Sequence, residues 1–235
     1  MYSLLMLPLV IANTLLVVWL ARSGFRYRDW LLFLTLLLIV ALPYDTGIVM
    51  LGSTMGQGDL LQMLSAPRYI WFYLTAPLLP LIAGGIARRA GFAWAQANWV
   101  WGVLGLLAVG FFVNDVSKLF QVPTLYPACF EDVLRYVASV KPSQVCTPGQ
   151  AGVDVGGSLP WAALAGMLLM LVVGVLLWWK RGWPWLVLGA VAGTVVLGLP
   201  NTPLGPLHTF YGDFLFMGSI AWTAVHFSAL AAEQN

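Results

Sequence analysis

Residues 68–79 read RYIWFYLTAPLL. An arginine and a tyrosine open an apolar run that is then broken by Thr75 and Pro77. A charge and a proline this close together are costly in an apolar helix: a charged side chain at a span centre costs about 2.5–3.5 kcal/mol on insertion scales. On a helix, Arg68, Phe72, Thr75 and Leu79 share one face, at spacings of i, i+4, i+7 and i+11. Pro77 removes the hydrogen bond to the carbonyl of Tyr73 and predicts a bend, and Thr75 can bond back to a nearby carbonyl. The stretch therefore predicts a kinked helix that turns its charge inward. A proline kink used for packing alone is the plainer alternative.

The rest of the chain sets the environment. Of its 235 residues, 60% are hydrophobic and 9% charged, with a mean hydropathy of +0.86. Soluble domains carry about 25% charged residues, so this chain cannot cover a soluble surface. The composition predicts an all-α integral membrane protein, placed in a bacterial inner (plasma) membrane. Seven segments are apolar enough to span: 2–21, 29–51, 68–87, 96–116, 159–179, 183–200 and 207–231. The sixth is short and bounded by prolines. The first lacks a basic leader and a cleavage site before Arg22, so it reads as a retained span.

Seven of the eleven basic residues fall in alternate connections: Arg22, Arg26 and Arg28; Arg88 and Arg89; Lys180 and Arg181. The excess of basic residues in cytoplasmic loops then predicts an N-terminus outside and a C-terminus inside. The net charge of +2 gives no nucleic-acid footprint. Residues 1–235 form one domain without an internal repeat. Trp30, Trp94, Trp161, Trp178, Trp179 and Trp183 lie near span ends and read as interfacial anchors.

The loop 117–158 falls outside on this topology. Cys129 and Cys146 enclose sixteen residues there. An oxidising compartment permits a disulfide between them, and closing such a loop stabilises it by roughly 3 kcal/mol in the chain-entropy model. Between them, FEDVLRYVASV has a helical spacing that puts Phe130, Val133, Leu134 and Val137 on one face. The loop reads either as a lid on the bundle or as a docking surface for another membrane protein. GQAGVDVGGS, residues 149–158, reads as a Gly-rich linker.

The charges inside spans are the functional candidates. Asp45 lies in LPYDTGIVM, Arg68 opens segment three, Asp115 closes segment four and Asp213 lies in HTFYGDFLFMG. The topology puts all four at similar depth, which predicts a polar pocket toward the outer side. For Arg68 and Asp115, an interfacial, hydrated position is the alternative. His208 and His226 are eighteen residues apart on one helix, about 27 Å at 1.5 Å per residue, and cannot share a metal. No haem or other cofactor is expected.

RYIWFYLTAPLL resembles the third helix of microbial rhodopsins, whose pattern is R-Y-x-D-W-x-x-T-x-P-L-L. Arg68, Tyr69, Thr75, Pro77, Leu78 and Leu79 fall on matching positions. The resemblance implies seven spans around a ligand pocket. That family also shows D-x-x-x-K in the last helix, where the lysine binds retinal. The corresponding residues here are Asp213 and Met217, and Trp71 stands at the counter-ion position. A methionine forms no imine, so covalent retinal is excluded.

The chain is also similar, in Asp45 of PYD and Asp213 of YGD, to small seven-span terpene and carotenoid cyclases. Their acidic residues in the second and last helices protonate the isoprenoid or steady its cation. The paired-glutamate motif of carotenoid cyclases is absent. A desolvated carboxylic acid can stay protonated and act as an acid, and aromatic faces can stabilise a carbocation. The candidates for substrate contact are Tyr44, Tyr69, Phe72, Tyr73, Phe210 and Tyr211, with Arg68, Thr75 and Met217. Three functions follow as expectations: acid catalysis by Asp45 and Asp213 on an isoprenoid or other lipophilic substrate; an opsin-shaped protein binding a lipid or pigment noncovalently; or a structural subunit of a membrane complex.

Overall fold

The computed structural model describes residues 2–119, 125–147, 151–153, 161–199 and 202–233. The Gly-rich stretch 149–158 falls largely outside these residues.

Helix α1 (Met6–Tyr27) follows a 3-10 turn at Tyr2–Leu5 and ends where Arg28 adopts the left-handed conformation, φ 49°. Asp29 then caps α2 (Trp30–Ile39), accepting the Leu31 N–H at 3.1 Å. This satisfies one of the donors left free at a helix start. After a break at Val40 and Ala41, α3 (Leu42–Met55) continues the same rod. Pro43, which has no N–H, stands in its first turn.

The third rod is α4 (Asp59–Thr75), a 3-10 turn at Ala76–Leu78 and α5 (Leu79–Arg89). The turn lies at Pro77, where the sequence predicted a bend. The rod begins at Asp59, well before the apolar segment read from sequence. Gln62, Ser65 and Pro67 dilute the hydropathy of its first turns, yet all are helical. Arg68 therefore lies inside the helix, not at its mouth.

A short helix α6 (Ala93–Gln96) leads into α7 (Asn98–Leu119). Next comes an antiparallel hairpin of β1 (Tyr126–Phe130) and β2 (Val133–Val137), with Cys129 opposite Leu134. The helix expected over FEDVLRYVASV is thus corrected to a strand. Its Val, Tyr and Phe residues suit a pleated surface, and helical and extended readings of short apolar runs overlap. Cys129 and Cys146 form the disulfide, and Ala128 bridges to Val145 beside it.

Three helices complete the chain: α8 (Trp161–Arg181), α9 (Trp185–Gly198) and α10 (His208–Glu233). Among the described residues, six rods are long and apolar enough to cross a membrane. The α9 helix has 14 residues, about 21 Å, against a hydrocarbon core of about 30 Å.

Neighbouring rods pack in a closed ring. The α1 helix meets α3 and α10, α3 meets α4, α5 meets α7 and α8, and α8 meets α9, which meets α10. Small residues let the last pair approach closely: a Cβ on Gly193 would lie 2.9 Å from the Gly212 carbonyl oxygen. The main core runs through α2, α5, α8, α9 and α10. Leu106, Trp99 and Trp179 stand more than two-thirds exposed on the outside of the ring.

The hairpin caps one end of the ring. Leu134 and Tyr136 pack on Ile48 and Leu61. The Leu134 carbonyl lies 1.8 Å from where a Cβ on Gly52 would stand, so α3 needs glycine there. At the same end Asp132 accepts hydrogen bonds from the Tyr2 N–H and the Ser3 hydroxyl, at 2.6 and 2.9 Å.

Candidate functional site

A chamber of about 140 Å³ lies within the ring. Asp45 enters it from α3, Arg68 and Thr75 from α4, and Asp213 and Met217 from α10. The remaining wall is apolar, with Trp71, Phe72, Leu79, Met167, Leu197 and Phe216 among its residues. The four residues predicted to share a helix face, Arg68, Phe72, Thr75 and Leu79, all line it.

Arg68 donates its Nε–H to Asp45. The arginine side chain is 9% exposed and the aspartate 26%, so the pair is largely withdrawn from solvent. The arginine Nη1 is buried without a partner among the described residues. Asp213 makes no hydrogen bond or ion pair among them. One carboxylate of the chamber is thus committed to a cation, and the other is not. Below them, Thr75 donates to the Trp71 carbonyl at 2.8 Å, and Trp71 Nε1–H donates to the Leu37 carbonyl at 3.1 Å. These bonds fix the wall at the point where Pro77 interrupts the helix.

Other expected contacts lie elsewhere. The Tyr44 hydroxyl donates to the Leu64 carbonyl at 2.6 Å, and the Tyr211 hydroxyl to the Leu5 carbonyl at 2.7 Å. Tyr69 reaches toward the Tyr136 carbonyl at 3.4 Å. Tyr73 packs edge-on to Phe72. None of these four tyrosines lines the chamber. Phe210 lies beside it, its ring 6.0 Å from the Arg68 guanidinium. Asp115 is buried on α7, bonded to Asn114 Nδ2 at 2.9 Å, and does not join the chamber. His226 stacks flat on Trp183, centroids 3.8 Å apart, far along α10 from His208.

The sequence reading did not include Leu38, Ala163, Met167, Leu197 or Phe216, which also belong to the wall. Nothing in their residue type marks them, since apolar side chains facing a cavity and facing lipid look alike in sequence. Phe72 lines the chamber yet is 42% exposed, so it stands at an edge where the chamber meets the outside of the ring.

The opposite end of the ring is closed by a second polar cluster. Arg89 grips Asp29 with two hydrogen bonds of 2.8 Å, and the Ser228 hydroxyl adds a third at 2.6 Å. Burial alone would raise the Asp29 pKa. The bonds from Arg89, Ser228 and the Leu31 N–H outweigh it and hold the carboxyl below its ordinary value. This cluster ties the α1–α2 junction, α5 and α10 together.

Fold and chamber define a ring of apolar helical rods around a guanidinium–carboxylate centre. No family model, curated protein or solved structure matches the chain.

Proposed function

We propose that this is a seven-span membrane protein that acts by acid catalysis on an isoprenoid or similarly lipophilic substrate. The hairpin end lies outside and the Arg89 end in the cytoplasm. The exposed apolar belt supports membrane residence, since soluble monomers rarely expose such surfaces. Arg22, Arg26, Arg28, Arg88, Arg89, Lys180 and Arg181 gather at the end opposite the hairpin, which supports the orientation. The α9 helix crosses as a short seventh span, with local thinning of the bilayer.

The observation that carries the catalytic reading is the convergence of Asp45 and Asp213 in one apolar chamber, one paired with Arg68 and the other unpaired. Asp213 is the acid that delivers a proton to a carbon–carbon double bond. Asp45, held by Arg68, places negative charge near the cation that forms, and Trp71 and Phe72 offer π faces to it. The chamber is smaller than the 300–1,000 Å³ of ordinary small-molecule sites. It takes the reacting end of a chain, and the rest lies in lipid beyond Phe72. The test is turnover of linear isoprenoid hydrocarbons and polyprenyl alcohols by the purified protein and by Asp45→Asn and Asp213→Asn. Loss of a general acid lowers turnover by about 10²–10⁴. Unchanged turnover in both variants discards the mechanism.

One observation favours a second reading. Arg68, Thr75 and Met217, the positions that carry the microbial-rhodopsin resemblance and its missing lysine, face the same chamber. An opsin-shaped protein holding a noncovalent lipid or pigment fits this arrangement. It predicts a ligand that copurifies with the protein and is released by solvent extraction. An empty chamber in mass spectrometry argues against it.

A further inference from the structure

The hairpin end carries a second, larger hollow. A cleft of about 700 Å³ lies between the disulfide-bonded segment and the connection from α9 to α10. Arg135, Lys141 and Gln144 stand on one side, and Thr202, His208 and Thr209 on the other. No carboxylate is among its lining residues.

Neither cation has a carboxylate partner within the cleft: Asp45 acts on Arg135 only through space and is itself paired with Arg68. Arg135 donates from Nη2 to Gln144 Oε1 at 3.2 Å, a neutral partner. Neither Arg135 nor Lys141 pairs with a carboxylate among the described residues. Burial lowers the Arg135 pKa to about 10, which still leaves it charged at neutral pH. A partly desolvated guanidinium with no anion in contact is costly, and an anion in the cleft would offset that cost. On the facing wall, the 26-residue helix α10 begins at His208 directly after a 3-10 turn, Gly205–Leu207, whose Gly205 and Leu207 N–H groups are already bonded, so it is the helix dipole that favours negative charge there. Its Nδ1 is engaged by Thr202 and the Gly205 carbonyl, and its Nε2 is buried without a partner among the described residues.

We propose that this cleft is a binding site for a phosphate group, either free or as the monoester head of a membrane amphiphile. A phosphate monoester carries about −1.5 to −2 charge near neutral pH and three strong acceptor oxygens. Two cations and a helix start match that charge, whereas a single carboxylate would leave one cation unneutralised. Arg135 presents a fork to two oxygens, and Lys141 acts as a mobile point charge at the rim. Leu197 lines both this cleft and the chamber of Asp45 and Asp213, so the two hollows are neighbours across one side chain. The site rests on the cleft's own residues and holds whether or not the chamber performs chemistry.

The test is calorimetric titration of the full chain in neutral detergent at constant ionic strength. The probes are inorganic phosphate and dodecyl phosphate. Saturable one-to-one binding is expected, weakened about tenfold or more by Arg135→Gln and by Lys141→Glu, and partly kept by Arg135→Lys. Tighter binding of dodecyl phosphate identifies a lipid headgroup as the source, and equal binding of the two identifies free phosphate. Lys141 is exposed, so Lys141→Glu decides the matter if Arg135→Gln fails to fold. No saturable binding of either probe, or parent-like affinity in Lys141→Glu, overturns the proposal.

Discussion

Arg68 reaches across from α4 to pair with Asp45 on α3, 23 residues earlier in the chain. The pair joins two rods at the chamber wall. Removing one member leaves the other charged and poorly solvated. Arg68→Gln and Asp45→Asn are each expected to destabilise the protein by about 2–4 kcal/mol. The double variant should lose less than the sum of the two. Thermal unfolding of the four proteins in detergent gives the coupling directly; strict additivity would show that the pair is not coupled. Arg68→Lys should not restore the parent, because lysine has no N–H at the Nε position from which Arg68 bonds Asp45.

Asp29 gives a pH dependence with a definite sign. Its pKa is held below the ordinary 3.8, despite burial, by Arg89, Ser228 and Leu31. A depressed carboxylate pKa contributes stability that is complete above the unfolded value and is lost as pH falls through the folded value. The protein should therefore lose stability below about pH 4, the range of the ordinary carboxylate. Asp29→Asn should flatten this limb and lower stability at neutral pH by about 2 kcal/mol. Unfolding midpoints measured from pH 3 to 7 check both.

Gly52 tests how the hairpin is seated. An alanine there would put its Cβ against the Leu134 carbonyl. Gly52→Ala should displace the hairpin from α3 and cost about 1–3 kcal/mol. Amide exchange should rise over Val133–Val137 and stay as in the parent over α8. Unchanged exchange in the hairpin would show that it is not held at Gly52.

The disulfide makes a related prediction. Cys129 and Cys146 close a 17-residue separation beside the hairpin. Cys129→Ser should remove roughly 3 kcal/mol of loop stabilisation. Protease cleavage within 125–147 should then speed up while the helical far-UV signal holds. Equal cleavage rates would mean that strand pairing alone secures the segment.

The legible parts of the fold are those where a residue's cost is large. Asp45, Arg68 and Asp213 stand out because a charge in an apolar run needs a reason, and all three meet in one chamber. Pro77 marked the break in the third rod because it leaves the Tyr73 carbonyl without its helical N–H, and the helix tightens into a 3-10 turn there. Asp115 carried the same signal and went elsewhere, since helix rotation about its axis is weakly encoded when the whole face is apolar. The tyrosines were misplaced for the same reason: Tyr44 and Tyr211 found carbonyls at other rods instead of the chamber. The start of the third rod was hidden by Gln62, Ser65 and Pro67, which lower hydropathy without ending a helix. The hairpin was hidden by an apolar spacing that strands and helices share over so few residues.

Under the proposed mechanism, Asp213 donates a proton inside the chamber. Turnover of a linear isoprenoid in D₂O, with product mass as the readout, tests it most directly. Proton delivery to a double bond followed by loss of another proton places one deuterium in each product molecule. The parent protein should yield product one mass unit heavier, and Asp213→Asn should yield almost none. Product formed without deuterium, or formed equally fast by Asp213→Asn, would contradict the account.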